Sequence, residues 1–123
     1  MRVKKVKVAI KNLKDIFEDV KDVVRRIEGG EHLKTVKDPE IYFTSFEAFR
    51  KALTPKRLEL LHIIKTQKPT SINDLARLSK RDIKNVAEDV KYLRQIGFIE
   101  VKGTDKKTMP VIPYDRINLE IAV

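Results

Sequence analysis

The chain has 123 residues, enough for one domain, or one domain with an accessory piece, around a single modest core. It contains no cysteine, which excludes thiol catalysis, disulfides and zinc fingers, and its two histidines, His32 and His62, leave little for a histidine-based metal site. The 27 basic against 18 acidic residues give a net charge of +9, a balance that suits an anionic partner such as nucleic acid or a membrane surface. No stretch approaches the roughly 20 apolar residues of a membrane span, and the N-terminus is too charged for a secretory leader. A soluble, cytoplasmic protein is expected.

The first ten residues alternate Val6, Val8 and Ile10 with Lys5, Lys7 and Ala9, which predicts a strand with one basic face. Asn12 can cap the following helix, where Leu13, Ile16, Phe17, Val20, Val23, Val24 and Ile27 recur at helical spacing until Gly29-Gly30 ends it. Residues 31–40 have no period and contain Pro39, so a loop is expected, followed by a short strand at Ile41-Tyr42-Phe43. Thr44 or Ser45 can cap a helix through Phe46, Phe49 and Leu53, with the two phenylalanines spaced as core residues. Thr54-Pro55 restarts a helix, because proline at the first helical position gives up no intrahelical bond. Leu58, Leu60, Leu61, Ile63 and Ile64 make that helix apolar on most of its circumference, so it should be the buried support of the domain. On it, His62 is expected to be a hydrogen-bonded structural histidine.

Residues 70–113 organise the rest. Ser71-x-x-Asp74 can form a reciprocal cap for a short helix carrying Ile72, Leu75 and Ala76 on one side. A turn then leads into a long helix with the apolar stripe Ile83, Val86, Val90, Leu93 and Ile96, opposite Lys84, Asn85, Glu88, Lys91 and Gln95. Gly97 stands where a left-handed cap is expected. Phe98, Ile99 and Val101 then begin a hairpin that turns at Gly103-Thr104-Asp105-Lys106 and returns through Met109 to Pro113. The last segment alternates Ile117, Leu119 and Ile121 with Arg116, Asn118 and Glu120, a strand with one polar face.

Leu75-Ala76, Val86, Leu93 and Gly97-Phe98-Ile99 resemble the winged helix-turn-helix of prokaryotic transcriptional regulators of the MarR and ArsR kind. Leu53-Thr54-Pro55-Lys56-Arg57-Leu58, Arg81-Asp82-Ile83-Lys84-Asn85-Val86, Asp89-Val90, Leu93 and Pro110-Val111-Ile112-Pro113-Tyr114 are similar to a small family of MarR-like regulators in archaea and bacteria. The resemblance covers roughly residues 45–113. It implies a winged helix-turn-helix at 44–113; with the N-terminal β-helix-β extension at 1–43 and the C-terminal strand at 114–123 packing on it, both read from their periods, an α+β fold is expected. The recognition helix, about 82–96, would lie in the major groove of double-stranded DNA and the wing, about 98–112, on the backbone. One departure stands out: the turn reads Ser79-Lys80-Arg81, without the usual glycine, which leaves Ser79 and Asp82 both open as the cap of the recognition helix.

Residues 77–107 hold nine basic and five acidic residues, a net +4 at the expected helix and wing. Lys80, Arg81, Lys102, Lys106 and Lys107 suit phosphate contacts. Arg81, Lys84, Asn85 and Glu88 are of the kinds that read base edges, with Lys91 further along the same polar face. Glu88 and Asp89 oppose phosphate, so one of them should pair with Arg81 or Arg94. Asp19 with Asp22, and Glu28 with Glu31, read as salt-bridged surfaces rather than catalytic pairs. No catalytic site, cofactor site, metal site or Gly-rich phosphate loop is found, and no enzyme is expected. The partners expected are double-stranded DNA and a second copy of the chain, paired through residues 1–43 and 114–123. A protein partner on the N-terminal segment belongs to the alternatives, an antitoxin of a toxin-antitoxin pair or a winged-helix interaction subunit.

Overall fold

The computed structural model describes residues 5–30, 40–103 and 108–123. In chain order they form β1 (Lys5–Ile10), α1 (Leu13–Glu28), β2 (Glu40–Phe43), α2 (Phe46–Ala52), α3 (Pro55–Gln67), α4 (Ile72–Ser79), α5 (Ile83–Ile96), β3 (Glu100–Lys102), β4 (Met109–Val111) and β5 (Arg116–Ile121). Two compact units result, Met1–Phe49 with Arg116–Val123, and Arg50–Asp115. The division between them falls inside α2.

In the first unit β1 is the central strand of a three-stranded sheet in the order β2-β1-β5, parallel to both neighbours. Val6, Val8 and Ile10 stand opposite Ile117, Leu119 and Ile121 on one face, and Lys7 stands between Glu40 and Asn118 on the other. Being central, β1 buries Val6, Val8, Ala9 and Ile10. The Lys7 amine bridges Glu120 at 3.1 Å and Glu40 at 3.5 Å, and its pKa is raised, chiefly by the hydrogen bond to Glu120. The Tyr42 hydroxyl donates to Glu40, and this bond pushes its pKa up to about 12. The Asn12 side chain accepts from the Asp15 amide at 2.9 Å, the cap expected for α1. Asp19 and Asp22 are ion-paired, with Lys11 and Arg26.

The second unit closes around α3, α4, α5 and the β3-β4 hairpin. Leu60, Leu61, Ile63 and Ile64 of α3, Leu75 and Ala76 of α4, and Val86, Val90 and Leu93 of α5 are buried, with Phe98 and Ile99 beside them. Thr54 caps α3 by accepting from the Arg57 amide, with Pro55 at the first turn as expected. The short helix, turn, long helix and antiparallel hairpin make this unit a winged helix-turn-helix in a mixed α+β chain. Three expectations need correction. His62 and Leu58, four residues apart, share the solvent side of α3, so His62 is exposed rather than a buried structural group. Phe46 is 50% exposed, and only Phe49 packs edge-on against Phe43. Ile83 opens α5 at 45% exposure, one turn short of the first buried stripe residue, Val86.

Candidate nucleic-acid interface

The helix-turn-helix is built by local hydrogen bonding. Ser71 Oγ accepts from the Asp74 amide at 3.0 Å, starting α4. The returning bond comes one residue earlier than a reciprocal cap would have it: the Thr70 amide donates to Asp74 Oδ2 at 3.1 Å. Arg77 donates to the same carboxylate, which holds the Asp74 pKa below the usual range. The helix ends at Lys80 in left-handed backbone, φ 57° and ψ 41°, where its amide donates to Arg77 O and that of Arg81 to Ala76 O. A lysine thus occupies the place glycine usually takes, which explains how the turn forms without one. Of the two candidate caps for α5 it is Asp82, although its Oδ1 meets the Lys84 amide at only 3.5 Å.

Helix α5 buries Val86, Val90 and Leu93 and turns Lys84, Asn85, Glu88, Lys91 and Gln95 to solvent. Lys84, Glu88, Lys91 and Gln95, at steps of four, three and four, make one line along the helix, with Asn85 beside it. Lys80 in the turn and Lys102 at the end of β3 are also exposed. Among the described residues, none of Lys80, Lys84, Lys91 and Lys102 has an ion-pair partner. Lys106 and Lys107, and the tip of the hairpin with them, lie outside the described residues.

Arg81 has a different environment. Its Nη2 lies 2.7 Å from Asp89 Oδ2, the pairing expected for one of the two acids of this helix. Asp89 Oδ1 is held in turn by Arg57 Nε at 3.1 Å. Arg57 also donates through Nη1 to the carbonyls of Lys51 and Ala52 and stacks 4.2 Å from the centre of the Tyr92 ring. One carboxylate between two guanidiniums therefore ties the end of α2, the start of α3, the turn and the middle of α5 together. Each of these side chains is about one-fifth exposed or less. Arg57 was missed from sequence. It lies 32 residues from Asp89, and no local spacing announces the contact.

The wing is pinned from its base. Val101 pairs with Pro110 and Lys102 with Met109. The buried Tyr114 hydroxyl donates to Phe98 O at 2.7 Å, and burial raises the Tyr114 pKa well above the ordinary phenol value. Lys65 of α3 donates to Ile112 O and pairs with Asp115 at 3.1 Å. Among the described residues, no group of three or more His, Cys, Asp or Glu is placed to hold a metal ion, and no helix is long and apolar enough to cross a membrane.

This arrangement defines a winged helix-turn-helix domain with a free cationic helix face. The chain belongs to the HVO_A0114 family, whose model matches residues 52–119, more than half of its length. No curated protein matches it. Among solved structures it is similar to a homodimeric winged helix-turn-helix DNA-binding domain from Mycobacterium bovis, a possible ArsR-family transcriptional regulator, at 19% identity and a TM-score of 0.45. That match covers 50% of this chain and 57% of the other, so the chain spans little more than half of that neighbour. It is also similar to a structure described as a predicted DNA-binding transcriptional regulator from E. coli, at 23% identity and a TM-score of 0.49, over 56% of this chain and 74% of the other.

Proposed function

We propose that this chain is a sequence-specific, double-stranded DNA-binding transcriptional regulator, with α5 in the major groove and the β3-β4 wing on the sugar-phosphate backbone. The observation that carries the reading is the exposed line of Lys84, Glu88 and Lys91 with Asn85 beside it, on the side of α5 opposite its buried stripe. Side chains of these kinds match base edges: lysine for guanine, asparagine for adenine, glutamate for the cytosine amine. Lys80 and Lys102 flank that line as phosphate contacts, and the same role is proposed for Lys106 and Lys107 on the strength of their charge. Arg81, held by Asp89, is assigned to fixing the angle of α5 rather than to reading a base. A dimer that offers two such helices to a two-fold site belongs to the same reading.

Selection of bound duplexes from a random pool supplies the site, and gel shifts on that site and on random DNA test the roles. Asn85→Ala should cost about 1–3 kcal/mol on the selected site and little on random DNA. Lys102→Ala should weaken both alike and reduce the salt slope by about 0.9. Equal losses on the two duplexes for Asn85→Ala would refute the reading role. No shift of any duplex at low salt would refute DNA binding itself, in favour of a winged helix that docks protein.

A further inference from the structure

Helix α1 is the longest element among the described residues, and its apolar side is left open. None of its side chains is buried, and Leu13, Phe17, Val20, Val24 and Ile27 are 45% to 62% exposed. These five follow one another at steps of four, three, four and three, which is the seam along which one helix packs lengthwise on another. Ile16 and Val23, half-buried, lie beside the seam on one flank. A run of large apolar side chains this exposed is a surface in want of a partner.

We infer that the partner is a second copy of the same helix, packed antiparallel across a two-fold axis near Val20. Charge decides this. At about 100° per residue, the flank of the seam opposite Ile16 and Val23 carries Lys14, Glu18, Lys21, Arg25 and Glu28 in order along the helix. All five are exposed, and none is in an ion pair among the described residues. Run antiparallel against itself, this series sets Lys14 against Glu28 and Glu18 against Arg25 at both ends, with only Lys21 meeting its own kind at the axis. Run parallel, this flank faces the Ile16 and Val23 side of the partner instead, and its charges find no series of opposite sign. Nor does an anionic surface fit: α1 has five acidic and four basic residues in a chain of net +9, so it is the part least suited to DNA or an acidic membrane. The inference rests on the DNA-binding reading for its purpose, two recognition helices on one duplex, and on α1 alone for its geometry.

The absence of native cysteine makes the test direct. Val20→Cys should cross-link the full chain on mild oxidation, whereas Leu13→Cys should not, because antiparallel partners hold that position roughly 20 Å from itself. The unmodified chain should sediment at twice 14.3 kDa at micromolar concentration, and Phe17→Asp should sediment as the single chain with its helical circular dichroism kept. Lys14→Glu should raise the dimer dissociation constant about tenfold by reversing two pairs, and Lys14→Glu with Glu28→Lys should restore it. A 14.3 kDa species for the unmodified chain even at ~100 µM would overturn the inference and assign the seam to another part of the chain or to a different protein. Equal cross-linking at both cysteine positions would overturn the antiparallel order. A cross-linked dimer that shifts no duplex would leave this inference standing and sink the DNA reading. A monomer that still binds a half-site would do the reverse.

Discussion

The two units solve the burial problem in opposite ways. In the winged-helix unit, α3, α4 and α5 each send at least two side chains into one interior, and the wing is fastened at its base by Tyr114 and Lys65. Among the described residues of the sheet unit the buried side chains are those of β1 and Ile41 of β2, while α1 has no buried side chain and β5 leaves Leu119 and Ile121 42% and 47% exposed. Hydrophobic stabilisation follows apolar area removed from water. The winged-helix unit thus buries apolar side chains from each of its three helices α3, α4 and α5, and the sheet unit leaves those of α1 in water.

The largest test of that contrast compares two phenylalanines. Phe98 is fully buried and Phe17 is 62% exposed. Phe98→Ala should destabilise the chain by about 3–5 kcal/mol, whereas Phe17→Ala should change the unfolding of dilute monomer by no more than about 0.5 kcal/mol. Denaturant unfolding at nanomolar concentration measures both. Comparable losses would show that α1 is already covered within one chain, and the contrast would break.

Ion pairs sharpen it further. Asp89→Ala leaves two largely buried guanidiniums without their shared carboxylate and should cost about 2–3 kcal/mol, somewhat below the range for fully buried pairs because the three side chains keep 16% to 21% of their surface. In the sheet unit the Lys7 to Glu120 pair is 35% and 63% exposed, so Glu120→Ala should cost under about 1 kcal/mol. A thermal melt of each variant checks the ranking. Asp89→Ala should also lower DNA affinity on all sequences by loosening α5, without contacting DNA.

How far the sequence could be read follows from the range of each interaction. Caps and stripes were legible because they are set within four residues: Asn12 over Asp15, Thr54 before Pro55, Ser71 over Asp74, Gly97 at φ 110°. The exposed cationic line on α5 was legible for the same reason. What pairs with what was not. Period-two alternation identified β1 and β5 as strands, but nothing in it said that they run parallel and adjacent, with Val8 opposite Leu119. The bond from Arg57 to Asp89 was equally out of reach. The misplaced residues show a third limit. For Phe46 and Ile83, an apolar stripe says which side of a helix faces inward but not where along its length the neighbour stops; His62, in the middle of α3, lies on the one narrow side that its apolar neighbours leave to solvent.

The two shifted tyrosines compare the units by pH. Each phenol has a folded pKa above its ordinary value of 10, Tyr42 to about 12 through its bond to Glu40 and Tyr114 through burial. A raised folded pKa favours the protonated form, so the contribution is fully present below pH 10 and is lost as pH climbs towards the folded value. Tyr114→Phe removes the buried bond to Phe98 O and should cost about 1 kcal/mol at neutral pH. It should also flatten the alkaline fall in melting temperature. Tyr42→Phe, at the more exposed phenol, should flatten it less. An alkaline fall unchanged by either substitution would show that neither phenol governs it.

The smallest effect has the opposite sign. Lys80 holds φ at 57°, a conformation in which a side chain crowds the following carbonyl, at a cost of about 1 kcal/mol. Lys80→Gly relieves that crowding at the turn between α4 and α5 and should stabilise the winged-helix unit by up to that amount, less what the more flexible unfolded chain gives back. The same substitution removes a phosphate contact in the proposed interface, so DNA binding should weaken on all sequences while the melting temperature rises. Lys80→Asn tolerates the same backbone and also removes the charge, and so separates the two effects. It should reproduce the binding loss with a smaller gain in stability. If neither variant weakens binding, Lys80 faces away from DNA, and the lysine stands in that turn at a cost for which the interface offers no return.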